Sequence, residues 1–134
     1  MSPQERQQIG DDDILWRRIT TPYWIKEMNG VKRVSSAAFK GSPHDLELST
    51  HAAKLTTIEW VFSSRPYARG VGEIVARLAR DLGLVVEHDP DKDDPSHTVI
   101  HLNAQKGIRE KQAKELANKA LFKERPVEPA ADEG

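Results

Sequence analysis

Residues 84–102 read LVVEHDPDKDDPSHTVIHL, and their pattern decides the fold class. Residues 84–88 and 97–102 are short runs rich in valine, isoleucine and leucine, the composition of strands. Residues 89–96 separate them with four aspartates, two prolines and one lysine. Strand, polar loop, strand predicts an antiparallel hairpin. Three of the five histidines rim its loop: His88, His97 and His101. Histidine beside carboxylate is chemistry that moves protons or binds a metal.

Working outward, a second hairpin is expected near the N-terminus. Asn29-Gly30 separates YWIKEM from VKRV, the two-residue combination that suits a type I′ turn. That turn sets Met28 opposite Val31, Glu27 opposite Lys32, Lys26 opposite Arg33 and Ile25 opposite Val34. Alternation then gives one face to Ile25, Glu27, Lys32 and Val34, and the other to Trp24, Lys26, Met28, Val31 and Arg33. Lys26 opposite Arg33 is a like-charge pair, costly unless solvent or an anion relieves it. A turn-rich connection around Phe39 follows. Residues 45–50, DLELST, alternate as a half-buried strand.

The remaining stretches carry helical periodicity or an ambiguity. A helix capped by Ser49 or Thr50 is predicted over residues 52–63, with Leu55, Ile58, Val61 and Phe62 inward. The strongest helical pattern covers residues 73–82, where Val71, Ile74, Val75, Leu78 and Leu82 form a stripe and Gly83 supplies a stop. Leu78 and Leu82 are expected in the core. A last helix is predicted over residues 108–123, with Ile108, Ala113, Leu116, Ala117, Ala120 and Leu121 inward. Residues 14–20, ILWRRIT, fit either a strand or a short helix capped by Asp13. Residues 1–13 and 125–134 are expected to be flexible tails around one domain, 14–124. Strands and helices do not alternate, which argues against a doubly wound parallel sheet. The prediction is a small single α+β domain with an N-terminal hairpin, a second C-terminal hairpin and about three helices.

Composition narrows the function classes. A chain of 134 residues builds one core. Its 20 basic and 21 acidic residues leave a net charge of −1, so bulk charge points neither to nucleic acid nor to a membrane surface. The absence of cysteine removes disulfides, thiolate nucleophiles and cysteine zinc sites, and it fits a reducing, cytoplasmic location. Residues 1–13 contain no apolar signal segment, and no apolar run approaches the roughly 20 residues of a membrane span.

Several constellations carry possible chemistry. His97 and His101 share one face of a strand but lie about 13 Å apart there, too far to ligate one metal together. A site would pair one of them with a group from elsewhere, such as His88 across the hairpin. The favoured role of His97 is structural, holding the loop through a backbone bond. Asp89, Asp91 and Asp93 open like a calcium loop, but Asp94 and Ile100 occupy the positions of the required glycine and glutamate. A solvated acidic turn is the better reading, and no metal or cofactor is expected. Gly70-x-Gly72 before a helix is only a fragment of a phosphate loop. Ser49 and His51 lie close in sequence, but no complete catalytic set is present. The best candidate surface is the segment holding Trp16, Arg17, Arg18, Trp24, Lys26 and Arg33, because tryptophan and arginine dominate binding hot spots.

The ordered pieces LWRRI, RVSSAAFKG, LELST, LTTIEW, GLVVEHDP, PSHTVIH and KELANKA resemble a group of small uncharacterised bacterial proteins, over residue 15 to about residue 120. The resemblance implies a compact bacterial cytoplasmic protein and transfers no catalytic residue. The leading expectation is therefore a binding protein whose N-terminal hairpin engages another protein. One alternative is a small hydrolase or transferase on a phosphate-bearing substrate, with His97 as acid/base and Arg17, Arg18 or Arg33 as clamp. The other is a nucleic-acid-binding module. A closed polar pocket joining His97 to an arginine favours the enzyme, and an exposed apolar patch with Trp24 favours the binder.

Overall fold

Residues 14–19 resolve the first ambiguity: ILWRRI is a strand, β1 (Ile14–Ile19), deep inside a six-stranded sheet. The computed structural model describes residues 5–41, 44–65 and 67–126. After β1 come β2 (Ile25–Met28) and β3 (Val31–Val34), a separate two-stranded hairpin. Then follow β4 (Glu47–Ala52), α1 (Ile58–Ser63), β5 (Gly70–Val75) and α2 (Ala76–Asp81). The chain ends with β6 (Val85–His88), β7 (His97–His101), α3 (Lys106–Lys119) and β8 (Leu121–Glu124). The large sheet has the order β6-β7-β4-β1-β5-β8 and is antiparallel throughout. The domain is α+β, with three α-helices. Among the described residues, no helix is long and apolar enough to cross a membrane.

Alternation along the strands divides the sheet into two unlike faces. One carries Leu15, Ile19, Leu48, Ala52, Ile74, Val86 and Ile100, all buried. Ala113, Leu116 and Ala117 of α3, Ala76 and Ala79 of α2, and Phe39 from the turn Ser36–Phe39 close over that face. Val34 of the hairpin also packs there. Gly72 lets it do so, since a Cβ on Gly72 would lie 3.1 Å from a Val34 methyl. The opposite face carries Trp16, Arg18, Ser49, His51, Glu73 and His97. α1 covers part of it, where Val61 and Phe62 pack on Val71 and Trp16. At the middle of the sheet, β1 and β4 pair at only two positions, Leu15 with Ala52 and Trp16 with His51. Beyond them the Arg17 guanidinium bonds to the carbonyls of Ala38 (2.9 Å) and Ser49 (3.0 Å).

The two hairpins form as their turns predict. β2 and β3 pair Ile25–Val34, Lys26–Arg33, Glu27–Lys32 and Met28–Val31. Asn29 and Gly30 take φ of 53° and 80°, the left-handed conformations a type I′ turn requires. β6 and β7 pair across the acidic loop, with Val86 opposite Ile100.

Other expectations are corrected. Residues 70–75 are a strand between β1 and β8, and only Ala76–Asp81 is helical. Val71, Ile74 and Val75 are β-branched, and pairing on both sides satisfies their backbone. Gly70 and Gly72 therefore lie within a strand and not in a loop at the start of the helix. Leu78 and Leu82 are half-buried, and the short α2 packs instead through Ala76 and Ala79. Residues 50–52 continue β4, and α1 starts later, capped by the Thr57 hydroxyl accepting from the Trp60 amide. α3 stops at Lys119, where the chain turns into β8, so Leu121 is exposed. Ile108 is exposed as well. Arg109 turns inward, its charge satisfied by the carbonyls of Asn103 and Ala104.

Residues 5–13, expected as a flexible tail, are tied to the domain. Ile9 is only 3% exposed, Arg6 pairs with Glu87 and Asp89, and the Gln7 amide donates to His88 Nδ1. The rest of the expected tails, residues 1–4 and 127–134, lies outside the described residues.

Candidate functional site

On the open face, one end of β4 and β7 meets the acidic loop in a cleft of about 390 Å³. Its walls bring together His97 and His51, Ser49, Arg18, Arg65 and Trp60, with Asp91, Asp93 and Asp94 from the loop. Strand register explains the gathering. His51 is directly opposite His97, and Ser49 lies two residues along β4 on the same face.

His97 is held in one tautomer. Its Nδ1 lies 2.9 Å from the Asp89 carbonyl, which can only accept, so Nδ1 carries the proton. Nε2 is then a lone pair, placed 3.1 Å from the Ser49 hydroxyl. The Asp89 carboxylate, 3.6 Å from Nδ1, faces the positive charge that appears when Nε2 takes a proton. Serine, imidazole and carboxylate thus lie in the order of an activated nucleophile, its base and the group that orients the base.

A second imidazole–carboxylate pair stands beside it. His51 Nδ1 is 2.8 Å from Asp94 Oδ2, and both side chains are nearly enclosed. Asp94 Oδ1 accepts from the Ser96 amide at 3.0 Å and the Ser96 hydroxyl at 2.5 Å. Burial pushes the Asp94 carboxyl up, but the hydrogen bonds from His51 and Ser96 outweigh it and hold the group at about 2. The ring of Trp60 meets His51 edge to face, centroids 5.9 Å apart.

Two guanidiniums complete the cleft. Arg18 donates to the Val61 carbonyl at 2.9 Å and the Ser64 hydroxyl at 2.5 Å. Burial lowers its pKa, as does the neighbouring positive charge of Arg65. Much of the acidic loop's charge is already engaged. Asp91 Oδ1 accepts from the amides of Asp93 and Asp94, so it closes its own turn. Among the described residues, no group of three or more His, Asp or Glu side chains is arranged to hold a metal ion.

The structure separates the histidines that rim the loop. His88 pairs with Thr98 and so faces away from His97. It is buried, accepts from the Gln7 amide at 2.7 Å, and donates through Nε2 to the Pro95 carbonyl at 2.7 Å. It fixes the loop and does not join the cleft. His101 pairs with Glu87 at the surface. The loop-backbone bond expected of His97 is present, and the same bond aims its other nitrogen at Ser49.

The six residues singled out as a binding surface do not form one surface. Trp16 and Arg18 lie on the open face, where Trp16 donates to Glu73 at 2.8 Å. Arg17 and Trp24 lie on the closed face, with the guanidinium 4.9 Å from the ring centroid and burial pushing its pKa down to about 10. Lys26 and Arg33 line a groove of about 170 Å³ between the hairpin and α3. Trp60 carries no signal in the sequence, Arg65 offers only a possible phosphate contact beside the Gly70-x-Gly72 fragment, and Ser49 and His51 stand out only by their closeness. Ser49 and His51 share a face once residues 47–52 are a strand; their meeting with His97 depends on long-range register.

The chain matches no protein-family profile, no characterised protein and no solved structure at a significant level.

Proposed function

We propose that the protein is a small hydrolase or transferase acting on a phosphate-bearing substrate in the open-face cleft. One observation carries the reading: His97 Nε2 faces the Ser49 hydroxyl at 3.1 Å in a cleft shared with Arg18 and Arg65. His97 removes the Ser49 proton, and Oγ attacks the phosphorus. The two guanidiniums supply the charge that phosphoryl oxygens need as the transition state forms. The chemistry is that of the serine hydrolases, applied to phosphorus.

The test is turnover of p-nitrophenyl phosphate and bis(p-nitrophenyl) phosphate by the purified protein. Ser49→Ala and His97→Gln are each expected to lower kcat/KM by about 10²–10⁴-fold, the usual range for losing a positioned nucleophile or base. Full activity in either variant, or no turnover by the wild type, removes the proposal.

A second reading is supported by the hairpin tip, where Met28 is 73% and Val31 60% exposed beside Lys26, Arg33 and Lys114. An exposed apolar pair rimmed by cations suits contact with another protein. Lys26→Glu with Arg33→Glu is then expected to abolish capture of the partner at ordinary salt while the domain stays folded. Retained capture counts against this surface, and a steep fall with salt marks a nucleic acid instead.

A further inference from the structure

We propose that the cleft works with two histidines, His51 being the acid that protonates the departing oxygen, so that its substrates are phosphate esters of ordinary alcohols. This rests on the hydrolase reading above and adds the class of leaving group. His51 and His97 are direct cross-strand partners on β4 and β7. Such partners have Cα atoms about 4.5–5.5 Å apart and side chains on one face. Two imidazoles therefore border one reacting phosphorus, one of them already committed to Ser49.

The environments of the two rings differ in the direction the chemistry needs. His97 is hydrogen-bonded at Nδ1 by the neutral Asp89 carbonyl, the Asp89 carboxylate lying farther off at 3.6 Å, which leaves Nε2 as a base. His51 is oriented by a fully ionised carboxylate, Asp94, itself pinned by Ser96. The Asp94 carboxylate can only accept, so Nδ1 of His51 donates to it, and the ring that gives a proton from Nε2 stands against a negative charge. The charged groups around His51 are Asp94 from the loop, His97 from β7, Arg18 from β1 and Arg65 beyond α1, with Asp91 and Asp93 at the mouth. Asp94 is the one hydrogen-bonded to the ring. The His51 side chain is 7% exposed, and it borders the cleft.

The proton cycle closes. In the first step the Ser49 Oγ–P bond forms and the P–O bond to the alcohol breaks. His97 takes the serine proton, and His51 gives its own to the alcohol. In the second step water attacks the phosphoserine and His51 takes the water proton. The Oγ–P bond then breaks, and His97 returns the proton to Ser49. Ester and water become phosphate and alcohol, and both histidines regain their starting states. An alkoxide is too basic to leave without a proton, whereas p-nitrophenolate leaves as the anion. Only the first kind of substrate requires His51 in the first step.

The experiment compares the first turnover of p-nitrophenyl phosphate with that of glycerol 2-phosphate, by rapid mixing with excess substrate. In His51→Gln, the p-nitrophenolate burst is expected to keep a rate within about threefold of wild type and be followed by slow turnover, while glycerol release falls about 100-fold or more. Asp94→Asn, which keeps the ring and removes its orienting charge, is expected to show the same split in milder form and serves if His51→Gln does not fold. Equal slowing of both substrates in a folded variant overturns the two-histidine proposal and leaves the hydrolase reading standing. Unchanged hydrolysis in Ser49→Ala overturns the hydrolase reading itself.

Discussion

On the closed face of the sheet, Leu15, Leu48 and Ile100 lie under α3 and Phe39; one residue along the same strands, Trp16, Ser49, His51 and Val99 face the open side. The closed face is packed mainly by apolar groups, with the hydroxyls of Thr50 and Thr98 bonded to backbone carbonyls. The open face is held by hydrogen bonds and ion pairs, with one small apolar cluster under α1. A period of two thus gives alternate residues of one strand to stability and to chemistry. The closed face fixes where β4 and β7 lie. The open face inherits that rigidity, so its polar groups converge without packing of their own.

The comparison breaks first at Phe39. This side chain is fully buried against the closed face, and Phe39→Ala is expected to cost about 3–5 kcal/mol of stability, measured by urea denaturation. A loss under about 1 kcal/mol would mean that the closed face does not carry the fold.

A smaller effect is expected from the rim of the open face in acid. Asp94 has an ordinary pKa of 3.8 and is held at about 2 in the folded protein. The unfolded chain therefore takes up the proton first as pH falls, and acid favours unfolding. The contribution is fully present above about pH 4 and is lost as pH falls through about 2, an effect on the order of 1 kcal/mol once solvent screening of the partly exposed carboxylate is allowed for. The check is the pH dependence of the urea midpoint between pH 5 and pH 2. It should be shallower in Asp94→Asn than in the wild type, and equal slopes would detach Asp94 from stability.

The smallest expected effect sharpens the contrast. Among the described residues, the Ser49 hydroxyl bonds to His97 Nε2, at an exposed position. Ser49→Ala is expected to change stability by no more than about 0.5 kcal/mol, although it removes the proposed nucleophile. A thermal or urea midpoint shifted well beyond that would make the open face structural.

Legibility in the sequence followed the range of the interactions. The register of β2 and β3 is set by two residues, Asn29 and Gly30, and could be written pair by pair. The hairpin of β6 and β7 was marked by its polar loop. Residues 70–75 are ambiguous in the sequence because Val71, Ile74 and Val75 fit a helical stripe as well as a strand. What decides for strand is pairing with β1 and β8, each about 50 residues away in the chain. The site divides in the same way. His97 was visible from its place beside the acidic loop, and Ser49 with His51 from their closeness. That these meet is a property of the β4–β7 register, which joins residues 46 or more positions apart. Arg18 and Trp16 were grouped with Arg17 and Trp24 by composition, whereas alternation sends them to opposite sides.

The two-position pairing of β1 with β4 has a mechanical consequence. β1 pairs with β5 at six positions and β4 with β7 at five, so the sheet is two firmly knit halves joined along a narrow seam. Arg17 bridges that seam with side-chain bonds where main-chain bonds are missing. The cleft straddles it: Ser49, His51 and His97 belong to one half, and Arg18 belongs to the other. A small rotation of one half against the other changes the distance from guanidinium to serine while leaving the serine–histidine spacing unchanged. The gap between guanidinium and serine, where a phosphoryl group would sit on the proposed reading, thus spans the narrow seam that Arg17 bridges.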